Sequence, residues 1–126
     1  IPTHPDIIRL GFVSDEDKYD GIAGSRSLML PSPFESLSIS VLEAMTLGVP
    51  VIVNGRCEVL KGHCIKSNAG FYYYDYVEFR EFLNYLLNHP NDYEAMSANG
   101  KRYVHENYRW NVIMEKFGRL IDTVIQ

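Results

Sequence analysis

Between Ile39 and Val53 only one side chain can ionise, that of Glu43. Placed on a helical wheel, residues 39–47 put Ile39, Val41, Leu42, Ala44, Met45 and Leu47 all round the axis, with Glu43 between Ile39 and Leu47. A helix that is apolar on every side is packed on every side. Gly48 and Pro50 then stop it. Val51-Ile52-Val53 follows as an unbroken apolar run, the pattern of a parallel strand covered on both faces. A buried helix leading into such a strand restricts the chain to layered α/β architectures.

The isolation of Glu43 needs a chemical reason. A carboxylate buried without a partner would cost several kcal/mol or take up a proton. Glu43 is therefore expected either to reach water at the helix's N-terminal end or to meet a polar ligand there. A ribose diol suits, because one carboxylate can accept from both hydroxyls, and a hydrogen bond to a charged group contributes about 1.5–3 kcal/mol. The plainer alternative puts Glu43 on a solvated stripe with Ser40 and Thr46. Glu35 favours the ligand. It precedes the helix in a loop whose backbone N–H groups favour anions or phosphates. That loop follows an apolar strand, and in open α/β sheets ligands bind at the carboxyl ends of the strands. Both carboxylates are expected to flank one crevice.

The remaining elements alternate. A strand is expected over 7–13, then a helix capped by Ser14 or Asp15 and running to about Gly24, with acidic residues in its first turn. A short buried strand over 27–31 precedes the glutamate helix over 39–48. After Val51-Ile52-Val53 come a short helix including 58–61 and an aromatic strand over 70–74. Three helices close the chain, over 77–88, from Pro90 to about Asn107, and over 110–125, the first and last with apolar residues at helical spacing. Strands alternating with helices imply right-handed βαβ units.

These residues resemble a known family. Pro31-Ser32-Pro33-Phe34-Glu35 through Glu43-Ala44-Met45, then Gly48-Val49-Pro50-Val51-Ile52, is similar to the E-x7-E signature of retaining glycosyltransferases of the GT-B fold, the group 1 (family 4) type. That group acts on nucleotide-sugars and includes sucrose-phosphate synthases, bacterial mannosyltransferases and glucosyltransferases. Leu10-Gly11-Phe12-Val13-Ser14-Asp15 looks like the family's strand and loop ahead of the motif, and Asn107-Tyr108-Arg109-Trp110 like the turn before its last helix. The resemblance covers nearly all 126 residues.

The resemblance implies a Rossmann-like parallel sheet with helices on both faces, part of the C-terminal, nucleotide-sugar-binding domain of such an enzyme. It implies hexosyl transfer with retention of configuration. Glu43 would hold the ribose hydroxyls, and Glu35, beside the transferred sugar, would be catalytic by orienting it. Ser36, Leu37 and Ser38 would present backbone N–H groups to the sugar and diphosphate. Many members read Glu-Gly-Phe-Gly where this chain reads Glu35-Ser36-Leu37-Ser38, which removes backbone freedom. A later loop that often carries Gly-Gly reads Asn54-Gly55-Arg56 here and raises Arg56 as a phosphate contact. Members of this type need no metal and no cofactor, the nucleotide-sugar being a substrate. The expected acceptor is a saccharide, a lipid-linked sugar or another small molecule.

Composition bounds the rest. A chain of 126 residues fits one domain. Hydrophobic content of 46% with 22% charged residues is ordinary globular composition. A net charge of −4 argues against a nucleic-acid or anionic-membrane surface. No run approaches the roughly 18 apolar residues of a spanning helix, and no signal or transit segment is visible, so a cytoplasmic location is expected. The chain opens at Ile1 rather than a methionine. It reads as a piece of a longer protein whose N-terminal, acceptor-binding domain is missing, and such a piece is expected to be inactive alone.

Other constellations are weaker. Cys57, His63 and Cys64 lack the paired C-x2-C spacing of zinc sites, so free thiols are preferred over a metal or a disulfide, with His63 a lesser candidate for lining the donor crevice. Phe71-Tyr72-Tyr73-Tyr74-Asp75-Tyr76 reads as a packed strand before it reads as a sugar-stacking platform. Ser36, Ser38 and Ser40 sit in no hydrolase arrangement. Two competing readings share the architecture: a flavodoxin-like binding or signalling module, and a GT-B-fold nucleotide-sugar epimerase. Neither accounts for Glu35 and Glu43 together with the Gly48-Val49-Pro50 stop.

Overall fold

A computed structural model describes residues 3–109 together with 115, 118, 119, 122 and 123. The described elements run α1 (Asp15–Ala23), β1 (Leu28–Leu30), α2 (Ile39–Thr46), β2 (Val51–Asn54), α3 (Glu58–Ser67), β3 (Gly70–Tyr73), α4 (Tyr76–Asn88) and α5 (Pro90–Asn107). The closing helix expected over 110–125 lies for the most part outside the described residues.

The three strands form one parallel sheet in the order β1-β2-β3, with Val51 opposite both Leu28 and Gly70. Alternation along β2 assigns the two faces. Val51 and Val53 join Val41, Ala44 and Met45 of α2, Leu60 and Cys64 of α3 and Tyr103 of α5 in one buried cluster. Ile52, also fully buried, points the other way with its neighbour Phe71, whose ring stacks on Phe82 of α4 at 4.6 Å. Tyr73 meets Phe79 of α4 edge-on at 5.2 Å. The aromatic strand thus serves packing, and helices cover both faces as expected.

The local signals explain most boundaries. The Ser14 hydroxyl accepts from the Asp17 N–H at 3.1 Å and caps α1, whose first turn holds Asp15, Glu16 and Asp17 against the positive end of the helix dipole. Gly48 ends α2 with φ +75°, while the Val49 N–H reaches the Ala44 carbonyl at 2.9 Å. Asp75 caps α4 by accepting from the Glu78 N–H at 2.8 Å. Pro90 opens α5, where its missing N–H costs nothing.

Three expectations are corrected. The strand expected over 7–13 is absent. Its apolar side chains lie outside, Ile8 and Leu10 at 80% and 70% exposure and Phe12 fully exposed. β-prone composition makes a strand only when a neighbour completes the ladder, and none of the described strands pairs here. Gly11, at φ +64°, also interrupts the extended run. The helix expected over 58–61 extends to Ser67, because Leu60, His63, Cys64 and Ser67 form the buried stripe. Two of those four residues are polar, which hid the period. Finally, α2 is not packed all round: Val41, Ala44 and Met45 are fully buried, but Ile39 in its first turn is 64% exposed.

Candidate functional site

The loop from Pro31 to Ser38 leaves the carboxyl end of β1 and turns into α2. Its last residue makes the turn. Ser38 stands at φ 62° and ψ 73°, in the left-handed region, at the second of the two positions where many sequences of the resembled type carry glycine. A non-glycine residue held there stores roughly 1–3 kcal/mol of strain. The loop therefore keeps a glycine-like turn without the glycine. The Ser38 hydroxyl is buried and has no hydrogen-bond partner among the described residues.

Beside it, Asn54 joins the two strand ends. Its side-chain amide donates to the Pro31 carbonyl at 2.9 Å and its carbonyl accepts from the Arg56 N–H at 2.9 Å. The loop after β2 is thus stitched to the loop after β1. Between them opens a cleft of about 590 Å³, lined by Glu35 and Ser36 on one side and by Arg56, Cys57 and Glu58 on the other, with Pro33, Phe34 and Val59 beside them. The Arg56 guanidinium donates to the Tyr74 carbonyl at 3.0 Å and stands 5.9 Å from the Tyr74 ring centre. Those contacts leave other guanidinium N–H groups for an anion.

Glu43 lies elsewhere. It borders a separate depression of about 290 Å³ with Tyr19, Thr46 and Leu47. The two concavities share no lining residue, so the expected crevice flanked by both carboxylates is not found as one lining. The carboxylate has also found a protein partner. Its Oε1 lies 3.4 Å from Lys18 Nζ and 3.4 Å from the Tyr19 hydroxyl, both on α1. Burial alone would lower the pKa of the Lys18 ammonium, but the hydrogen bond and charge of Glu43 more than offset it, so the pKa stands above the ordinary lysine value. Glu43 is thus half-buried, its side chain 17% exposed, and paired with α1. One oxygen is anchored by α1, and Oε2 makes no hydrogen bond to a described residue. Lys18, Tyr19, Glu58 and Asn54 were not singled out as site residues from sequence, and no local signal could have done so, since they reach the site only through tertiary packing.

His63, a lesser candidate for the crevice, lines neither concavity. It is buried on α3, with Nδ1 2.8 Å from the Tyr103 hydroxyl and Nε2 2.8 Å from the Leu37 carbonyl. Burial, followed by the hydrogen bond to Tyr108, pushes the pKa of the Tyr103 hydroxyl upward, so it stays protonated. Among the described residues no group of three or more His, Cys, Asp and Glu could hold a metal ion.

Cys57 and Cys64 are free and buried, and burial pushes the Cys64 thiol up to about 12 from an ordinary 9.0. The thiolate is the nucleophile, so Cys64 is expected to stay unalkylated by iodoacetamide at pH 8 in the folded protein and to react once urea unfolds it. Peptide mass mapping reads the difference. The burial of this thiol stabilises the fold fully below pH 9.0, and that contribution is lost as pH climbs toward about 12, because the unfolded thiol ionises first.

Comparison with known proteins gives a consistent picture. The model of the family described as glycosyl transferases group 1 matches residues 4–103. Glycosyltransferase 1 domain-containing protein 1 of Xenopus tropicalis is 29% identical over 103 residues, 79% of this chain and 29% of that protein. O-antigen chain mannosyltransferase B of Escherichia coli is 32% identical over 89 residues, 71% of this chain and 19% of that protein. Sucrose synthase isoform 2 of Daucus carota is 25% identical over 114 residues, 82% of this chain and 14% of that protein. The chain therefore spans less than a third of the length of these relatives.

Proposed function

The chain belongs to the family of glycosyl transferases group 1, and on that premise we propose that it forms part of the C-terminal, donor-binding domain of a nucleotide-sugar-dependent glycosyltransferase. The enzyme would have the GT-B fold, transfer a hexosyl group with retention of configuration, and act in the cytoplasm. The observation that carries this reading is the cleft at the carboxyl ends of β1 and β2, where Glu35 and Ser36 face Arg56 across the space a sugar diphosphate would fill. No helix among the described residues is long and apolar enough to cross a membrane.

Each residue has a role in this reading. Arg56 supplies a delocalised cation for the diphosphate. The backbone N–H groups of Ser36, Leu37 and Ser38, at the start of α2, meet the diphosphate and the sugar. Glu35 lies beside the transferred sugar and orients it. Glu43, its Oε1 held by Lys18 and Tyr19, accepts from the ribose diol through the remaining oxygen. Catalysis comes from positioning the donor and from stabilising the leaving diphosphate as charge develops on it. Neither a metal nor a cofactor enters this scheme. The acceptor, a saccharide, a lipid-linked sugar or another small molecule, would sit on an N-terminal domain of the same protein, without which this chain would not turn over.

Titrating the full-length, isotopically labelled protein with UDP-, GDP- and ADP-sugars tests the reading. One nucleotide is expected to move the backbone amide signals of 35–43 and of Arg56, and so to identify the base. If none of the three moves them, the donor assignment is wrong.

A further inference from the structure

His63 touches neither cleft yet grips the loop that carries Glu35. Its ring is 5% exposed on α3, and both nitrogens are engaged at 2.8 Å. The Leu37 carbonyl oxygen can only accept, so Nε2 carries the proton. Nδ1 then lies against the Tyr103 hydroxyl, which can donate to it, and the Tyr108 hydroxyl, 3.5 Å further on, is placed to hydrogen-bond Tyr103 in turn. The Tyr103 and Tyr108 rings meet the imidazole edge-on at 5.8 and 5.9 Å, fixing its plane. A line of donors thus runs from the end of α5 through His63 into the loop.

The grip falls on a decisive bond. The peptide joining Leu37 to Ser38 is trans and planar, so the Leu37 C=O and the Ser38 N–H point in opposite directions within one plane. Whatever holds the carbonyl aims the N–H. Ser38 is also the strained, left-handed residue of the turn, and a conformation of that kind persists only where its surroundings over-determine it. No hydrogen bond of its own side chain does so.

We propose that His63 is a positioning residue for the donor loop: by holding the Leu37 carbonyl, backed by Tyr103, it fixes the turn at Ser38 that presents Glu35 and Ser36 to the bound donor. The second half of that statement rests on the donor-binding reading above; the clamp itself does not.

The test uses the full-length protein. Long-range 1H–15N spectra with 15N-histidine should show His63 as the Nε2–H tautomer. Tyr103→Phe keeps the ring and removes the hydroxyl that holds Nδ1 from behind, and it should shift the Ser38 amide signal in the ligand-free protein. His63→Leu should raise the donor KM by about tenfold, the loss of roughly one hydrogen bond, with the acceptor KM unchanged. His63→Gln, whose amide N–H can still reach Leu37, should restore most of that loss, which a purely structural role would not predict. An Nδ1–H tautomer, or a Ser38 amide unmoved by Tyr103→Phe, overturns the clamp. A shifted Ser38 amide with an unchanged donor KM upholds the clamp and overturns the donor assignment instead.

Discussion

Glu43→Ala in the full-length protein is expected to weaken nucleotide-sugar binding by about tenfold or more while leaving the melting temperature essentially unchanged. The first figure follows from the charge: a hydrogen bond to a carboxylate contributes about 1.5–3 kcal/mol, and each 1.4 kcal/mol is tenfold in affinity. The second follows from the surroundings. The side chain of Lys18 is 40% exposed and stays hydrated when Glu43 is removed, so no charge is left stranded in the core. The hydroxyl of Tyr19, likewise at the surface, turns to water. Isothermal titration of parent and variant measures the affinity, and a thermal scan the stability. Donor affinity that survives alongside a collapsed melting temperature would make Glu43 structural. Glu35→Ala is the complement: it should depress turnover more than donor affinity, because Glu35 is assigned to orienting the transferred sugar rather than to holding the nucleotide.

Met45→Ala should act on the fold instead. Met45 is fully buried on α2, and α5 packs directly on it: a side-chain carbon built on Gly100 would lie 3.2 Å from the Met45 Cβ and 3.3 Å from its Cα. Removing the thioether arm leaves a gap in the cluster shared by α2, β2, α3 and α5, and the helices are too tightly seated to close it fully. A loss of about 2–5 kcal/mol is expected, read as a lower urea midpoint by circular dichroism of the 126-residue chain. A loss below about 1 kcal/mol would mean that α5 shifts to fill the space. The contrast between two residues only two apart on α2 separates the face proposed to bind from the face that packs.

The correspondence between sequence and structure follows the range of the interactions involved. Ser14, Gly48 and Pro90 mark helix ends through bonds made within a few residues, and those ends were legible. The Ser67 end of α3 was not, because the stripe that continues the helix includes His63 and Ser67, whose burial depends on Tyr103 and on strand β3 rather than on their own polarity. The run over 7–13 failed for a related reason: strand formation is a property of a pair, and none of the described strands pairs with it.

The candidate site divides in the same way. Glu35, Ser36 and Arg56 were identified from the chain, and the structure brings them to one cleft. Glu43 was identified too, but its pairing with Lys18 spans 25 residues, and the left-handed turn ahead of its helix falls on Ser38 rather than on a glycine. Neither leaves a trace in periodicity or spacing.

By itself, then, the sequence determined the parallel α/β class, the helix bearing Glu43 with its stop at Gly48, and the family resemblance, all of which rest on neighbours within one or two turns of chain. Tertiary structure alone decided which oxygen of Glu43 pairs with α1, which strand ends share a cleft, and that His63 closes on Leu37 across 26 residues. These are loop-closure outcomes. Their free energy comes from contacts between residues that local propensity treats as independent, so only the packed molecule can express them.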